Sequence, residues 1–202
     1  MNIIKRIKGI LFEPSKFFDY LSKKEKTIGT SFIYLMVLSL FFTIIGFIIG
    51  TLLQGFWISL YSGFLGFEIP YAATPIIISL IFTIIGYGIG LLLSFVGAGI
   101  LHLWFLIFGG KADYTKTYQL MVYSRTPTYV LGWIPFVNFF IWIWSLVLLI
   151  LGTSKIHQMS KLKAALIIII PIIVLMAIGI TIFIFAISAL LLTSIGQAGF
   201  VA

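Results

Sequence analysis

Cysteine is absent, which excludes structural disulfides, thiolate metal sites and a cysteine nucleophile. Charge is nearly absent as well. Only 9% of the 202 residues are charged, against roughly a quarter in a soluble domain, so the chain cannot keep an aqueous surface wet and its surface must face lipid. Acids are scarcest: five Asp and Glu accompany two histidines. Glu13, Asp19 and Glu25 lie among lysines, where surface ion pairs are expected. Asp113 precedes Tyr114 and Thr115 as a plausible helix N-cap, and Glu68 stands alone. No two acids share a predicted span, so paired-carboxylate acid–base chemistry has no support. His102 and His157 lack the acidic neighbours of helical zinc motifs. No catalytic residue, cofactor or metal site is therefore expected, and the chain is not read as an enzyme.

What is present is apolar. Hydrophobic residues make up 61% of the chain. The runs 28–67, 69–110, 126–154 and 164–202 contain no charged residue, and a spanning helix needs about 20 apolar residues. The fold class is an all-α membrane protein, a bundle of five transmembrane helices preceded by short amphipathic helices. The spans fall at about 28–53, 75–108, 115–131, 136–152 and 164–192. The second is long: its ~50 Å of helix exceeds a ~30 Å hydrocarbon core, so it tilts, bends or protrudes. Residues 54–74, with Trp57, Tyr61, Glu68, Pro70 and Tyr71, suit an interfacial loop on the far side. Pro127 and the Gly132-Trp133-Ile134-Pro135 break split 114–151 into two spans. That choice brings all thirteen Lys and Arg onto or near one face, as the positive-inside bias requires. The N-terminus is then cytoplasmic and the C-terminus outside. The first apolar run is too long for a signal peptide and is expected to be retained.

Two units follow: a basic segment 1–27 and a transmembrane domain 28–202. The segment carries seven Lys and Arg against three acids. Ile3, Ile4, Ile7, Ile10 and Leu11, and then Phe17, Phe18 and Leu21 after Pro14, recur at helical spacing between the cations. Two amphipathic helices on an anionic leaflet fit this pattern; a topogenic anchor with no binding role is the plainer alternative. Within the spans, Gly46 and Gly50, and Gly86, Gly90, Ser94, Ala98 and His102, recur at steps of four, so small residues form ridges where another helix can approach closely. The approaching helix belongs to the same bundle or to a second copy. His102, Gln119 and Arg125 are polar groups at membrane depth. Arg125 lies about 13 Å beyond Lys116 along a straight helix and is expected to face the bundle or to reach back to the interface. Gly109-Gly110 lacks the downstream Lys and Ser/Thr of a phosphate-binding loop and reads as a turn.

The middle of the chain carries a family resemblance. His102-Leu103, Phe108-Gly109-Gly110, Tyr114, Thr117-Tyr118, Tyr123-Ser124, Thr126-Pro127, Ile134-Pro135, Trp144, Gly152, His157 and Lys163-Ala164 occur in an order and spacing that resemble the Yip1 domain family. Gly109, Gly110, Tyr114, Pro127, Pro135, Gly152 and His157 carry the pattern, and Pro14 to Phe18 is similar to the start of prokaryotic members. The resemblance implies five transmembrane helices, a cytosolic N-terminus and a C-terminus outside or in a lumen. Eukaryotic members take part in Golgi and endoplasmic-reticulum traffic and bind Rab-type GTPases. This sequence has a short segment before its first span and no Asp-Leu-Tyr-Gly-Pro-type motif, so GTPase binding gains no support from its residues. The expectation is a plasma-membrane protein acting as a scaffold or adaptor, with a role in membrane organisation or trafficking. Its expected partners are lipid, anionic at the N-terminal segment, and a second copy or another membrane protein; nucleic acid is not among them. The alternative is a small oligomeric transporter or channel, for which Gln119, Tyr123 and Arg125 would line a water-filled path.

Overall fold

Capping and turn residues set the helix boundaries. Asn2 accepts the Lys5 amide on its side chain and opens α1, Ile3–Phe12. Pro14 sits at the first position of α2, Pro14–Lys24, where its missing N–H is harmless. Then follow α3, Ile28–Leu52, and α4, Gln54–Leu65, which Gly66 ends in the left-handed conformation (φ +74°). The remaining elements are α5, Ile76–Ile107; α6, Tyr114–Ser124; α7, Thr126–Leu131; α8, Asn138–Ile156; and α9, Lys161–Ala198. This computed structural model describes residues 1–66 and 76–198, and every regular element among them is a helix.

Four described helices are long and apolar enough to cross a membrane: Ile28–Leu52, Ile76–Ile107, Asn138–Ile156 and Lys161–Ser188. The segment expected as a fifth span, 115–131, consists of α6 and α7, with 11 and 6 residues. Their joint has a local cause. Pro127 offers no N–H to the carbonyl of Tyr123, and the Thr126 hydroxyl donates to it instead (2.8 Å). Pro171 creates the same deficit inside α9. There the carbonyl of Ile167 accepts the indole N–H of Trp104 (2.8 Å), so α9 runs through its proline and is tied to α5. Residues 54–65, expected as loop, are helix α4. The rest of that loop, with Glu68, Pro70 and Tyr71, lies outside the described residues. The expected turn before α8 is present, with Phe136 at φ +64°.

The core occupies one half of the bundle. Its buried side chains are Tyr34, Leu35 and Leu38 on α3, Ala98 and Phe105 on α5, Leu148 and Ile156 on α8, and Ile167 and Ile168 on α9. All lie in the half of each helix nearer α1 and α2. Ile10, Phe17, Phe18 and Leu21 belong to the same core, so residues 1–27 close the end of the bundle. At its centre runs α6, buried without interruption from Thr117 to Ser124. The other half of the bundle is open.

Gly152 permits the tightest crossing. A Cβ there would overlap Leu120 Cδ1 of α6 and lie 2.8 Å from Phe18 Cε1 of α2, so α8 can touch both helices only through a glycine. Valine at this position gains helix propensity but overpacks a core that cannot yield. Gly152→Val is expected to destabilise the fold by about 1–3 kcal/mol, seen as a lower melting temperature in detergent. An unchanged melting profile would show that α2 and α6 can move away freely.

Candidate functional site

Helix α6 presents polar side chains at 116, 119 and 123, and all three meet the chain that joins α2 to α3. Lys116 Nζ donates to the carbonyls of Leu21 and Glu25 (2.5 Å each). Gln119 Nε2 donates to Thr27 O (2.9 Å). Tyr123 donates to Glu25 Oε1 (2.6 Å). Arg6 of α1 completes the group: its Nη1 bonds Glu25 Oε2 (2.5 Å) and the Tyr123 hydroxyl, and its Nε donates to Met1 O (3.1 Å). Arg6 and Glu25 are both buried. Lys155 extends the attachment to α2 through Asp19 (3.0 Å). Two charges withdrawn from water need this density of partners, because desolvation otherwise outweighs their attraction. Sequence reading placed Glu25 in a surface ion pair and missed the buried one. Its available signal was the i, i+3, i+7 spacing of Lys116, Gln119 and Tyr123 on the least apolar of the five expected spans.

A second polar group lies beside it. His102 Nδ1 is 2.9 Å from Thr117 Oγ1, and His157 Nε2 is 3.1 Å from the same oxygen, so one threonine bridges the two histidines. His157 is fully buried, packs on the Phe105 ring, and its Nδ1 has no partner among the described residues. Burial, aided by the field of His102 and opposed by Asp113, lowers its pKa to about 4; it is neutral at ordinary pH. Gly110 makes room for it, since a Cβ there would lie 2.6 Å from His157 Nδ1 and 2.9 Å from Phe105 O. Gly109 takes φ +79°, which favours glycine. Asp113 caps α6 by accepting the Lys116 amide (2.8 Å), and Tyr114 donates to Phe95 O (2.9 Å). Pro127 is buried at the start of α7, and Pro135 is half-buried in the turn before α8. Among the described residues no three His, Cys, Asp or Glu side chains gather as a metal-binding group.

The small-residue ridge divides at the edge of the core. Ser94 and Ala98 are buried, and Ser94 bonds the Tyr118 hydroxyl (3.1 Å). Gly46, Gly50, Gly86 and Gly90 lie in the open half; a Cβ at any of them would meet nothing within 4 Å. Arg125 is exposed at the α6–α7 joint. Among the described residues its guanidinium makes no hydrogen bond or ion pair, with Asp113 or with any other residue, and it lines two cavities of about 520 and 390 Å³.

Removing one partner of a buried ion pair costs about 3–5 kcal/mol, whereas replacing both with apolar groups is often nearly neutral. Glu25→Leu and Arg6→Met are each expected to lower the detergent melting temperature sharply, and the double variant to recover much of the loss. Additive losses in the double variant would show that the two charges are not coupled.

Comparison with known proteins bears on the whole chain. No curated protein and no solved structure matches it. The family model of the Yip1 domain matches residues 8–184, from α1 into α9, and so includes Glu25 and the polar side chains of α6 but not Arg6, together with the Gly109–Gly110 turn and the His102–His157 pair. The several long apolar helices are those of a multi-pass membrane protein, and the chain belongs to the Yip1 domain family.

Proposed function

We propose that this protein is a non-enzymatic scaffold or adaptor in the plasma membrane that crosses the bilayer five times and presents a fixed basic face to the cytoplasm. The fifth traversal is α6 with α7. Together 114–131 give ~27 Å of helix, close to the hydrocarbon thickness, and the bundle shields the polar side chains of α6 from lipid. With this traversal, Lys111, Lys116, Lys155, Lys161 and Lys163 share the side of the N-terminal segment.

The observation that carries the reading is the attachment of residues 1–27 through Arg6, Glu25, Tyr123 and Lys116. With Arg6 turned inward, Lys5, Lys8, Lys16, Lys23, Lys24 and Lys26 remain exposed. Ile4 and Phe12 are exposed beside them. A basic face with apolar points suits an anionic leaflet, where each cation contributes about 1 kcal/mol before screening. It suits equally the acidic segments of membrane partners gathered at that leaflet. A docked face loses little further entropy on binding.

Two measurements test this. A reporter fused after Ala202 is expected outside the cytoplasm; a cytoplasmic reporter would remove the fifth traversal. The intact protein, purified from native membrane, is expected to retain membrane-protein partners that are lost when Lys5, Lys8 and Lys16 are changed to Glu, and proteoliposomes containing it should pass ions and small solutes no faster than empty vesicles. Flux above that baseline would favour the oligomeric transporter or channel instead.

A further inference from the structure

Arg125 combines three properties. On the α6–α7 traversal proposed above, it lies about 13 Å along the helix from Lys116, at hydrocarbon depth. No Asp or Glu occurs in any of the four long apolar helices, and its own guanidinium makes no hydrogen bond among the described residues. An unpaired cation at that depth is expensive and marks a site for an anion. Its five N–H donors suit an oxyanion held bidentately.

The surroundings say which anion. One turn further along α7, Tyr129 lines the same two cavities, and its hydroxyl makes no hydrogen bond among the described residues. In the larger cavity, between α5, α7, α8 and α9, Thr128 and Ser145 share one hydrogen bond (3.0 Å). Two hydroxyls joined by one bond leave one O–H free to donate. The Ser124 hydroxyl is already spent on Met121 O. The donor-bearing side chains lining this cavity are therefore the Arg125 guanidinium, the Tyr129 phenol, one aliphatic hydroxyl and the Trp142 indole, with no acid among them.

A third cavity of about 570 Å³, between α5 and α9, adjoins it; Gly97, Leu101, Leu149 and Ile172 line both. Its other walls are almost wholly apolar, with Trp104 and Pro171 among them. A cationic, donor-rich chamber running into an apolar groove is complementary to one molecule with a phosphate at one end and hydrocarbon at the other. We infer that Arg125, with Tyr129 and the Thr128–Ser145 pair, binds the headgroup phosphate of a membrane phospholipid, one acyl chain of which lies in the groove between α5 and α9. This site is separate from the basic face of residues 1–27 and does not depend on it.

The full chain, purified in mild detergent, can be titrated with phosphatidylglycerol, phosphatidylcholine and diacylglycerol and read by native mass spectrometry. Both phospholipids should bind and diacylglycerol should not, since it lacks the phosphate. Arg125→Gln should weaken phospholipid binding by roughly tenfold or more, the loss of a charge-assisted hydrogen bond, and Arg125→Lys should retain part of it. Gly97→Leu leaves the cation in place and extends a side chain into the wall shared by headgroup chamber and acyl groove; a Cβ at 97 meets only Met121 Sδ, at 3.9 Å, so the fold tolerates the change while lipid binding falls. Melting profiles of each variant separate lost binding from lost folding, and Gly97→Leu with the diacylglycerol arm decides the matter if Arg125→Gln fails to fold. Diacylglycerol binding as well as the phospholipids, or full phospholipid binding by a folded Arg125→Gln, would overturn the assignment. Displacement of the lipid by excess inorganic phosphate would overturn it in favour of a soluble anion.

Discussion

The buried pair of Arg6 and Glu25 is the constraint on which the rest of the structure depends. Two opposite charges at 2.5 Å in a membrane-protein interior are tolerable only when their remaining donors and acceptors are occupied. Tyr123 supplies one partner and the carbonyl of Met1 another. The pair and its partners come from the N-terminal end with α1, the α2–α3 junction and α6, so satisfying the pair sets where all three must lie. With α6 held at the centre, α3, α5 and α8 pack around it, and Phe17, Phe18 and Leu21 cover its end.

A polar helix at the centre of an apolar bundle follows the same logic. Lipid offers no hydrogen bonds, so every polar group at membrane depth needs an internal partner. The buried side chains of α6 largely find one: Tyr118 with Ser94, Thr117 with His102 and His157, Gln119 Nε2 with the Thr27 carbonyl. Gln119 Oε1 has no partner among the described residues. Backbone deficits are met in the same way, at Tyr123 by the Thr126 hydroxyl and at Ile167 by the Trp104 indole. At Pro171 the substitute donor ties α9 to α5, whereas at Pro127 it comes from the neighbouring residue Thr126.

Glycine acts in two opposite ways along these helices. Gly152 and Gly110 are closed on by neighbours, where a Cβ would meet Leu120 and Phe18, or His157 and Phe105. Gly86 and Gly90 face open space and line the smaller of the Arg125 cavities. The difference comes from the asymmetry of the bundle: the half closed by α1 and α2 is packed, and the other half splays. Arg125 stands where one becomes the other. Two residues beyond Tyr123, which ties down the basic segment, the end of the same helix therefore carries an arginine that has no partner among the described residues.

Much of the fold is legible in the sequence. Long uncharged runs require burial in lipid whatever the tertiary arrangement, because no other solvent accepts them. The Asp113 cap, the break at Pro127 and the hairpin turn before Asn138 are local events governed by residues a few positions apart. The order of Gly109-Gly110, Tyr114, Pro127, Gly152 and His157 carried the family. What the sequence could not disclose were contacts between residues far apart in the chain. Arg6 and Tyr123 are separated by 117 positions; Arg6 is the only arginine among the cations of residues 1–27, a residue type suited to buried pairs, but its neighbours in sequence do not name the partners it meets. The i, i+4 spacing of Gly86, Gly90, Ser94 and Ala98 is uniform along α5, yet only the last two are buried. Spacing determines which residues share a face of a helix. Which stretch of that face meets another helix depends on where the helices converge, and only the tertiary structure decides that.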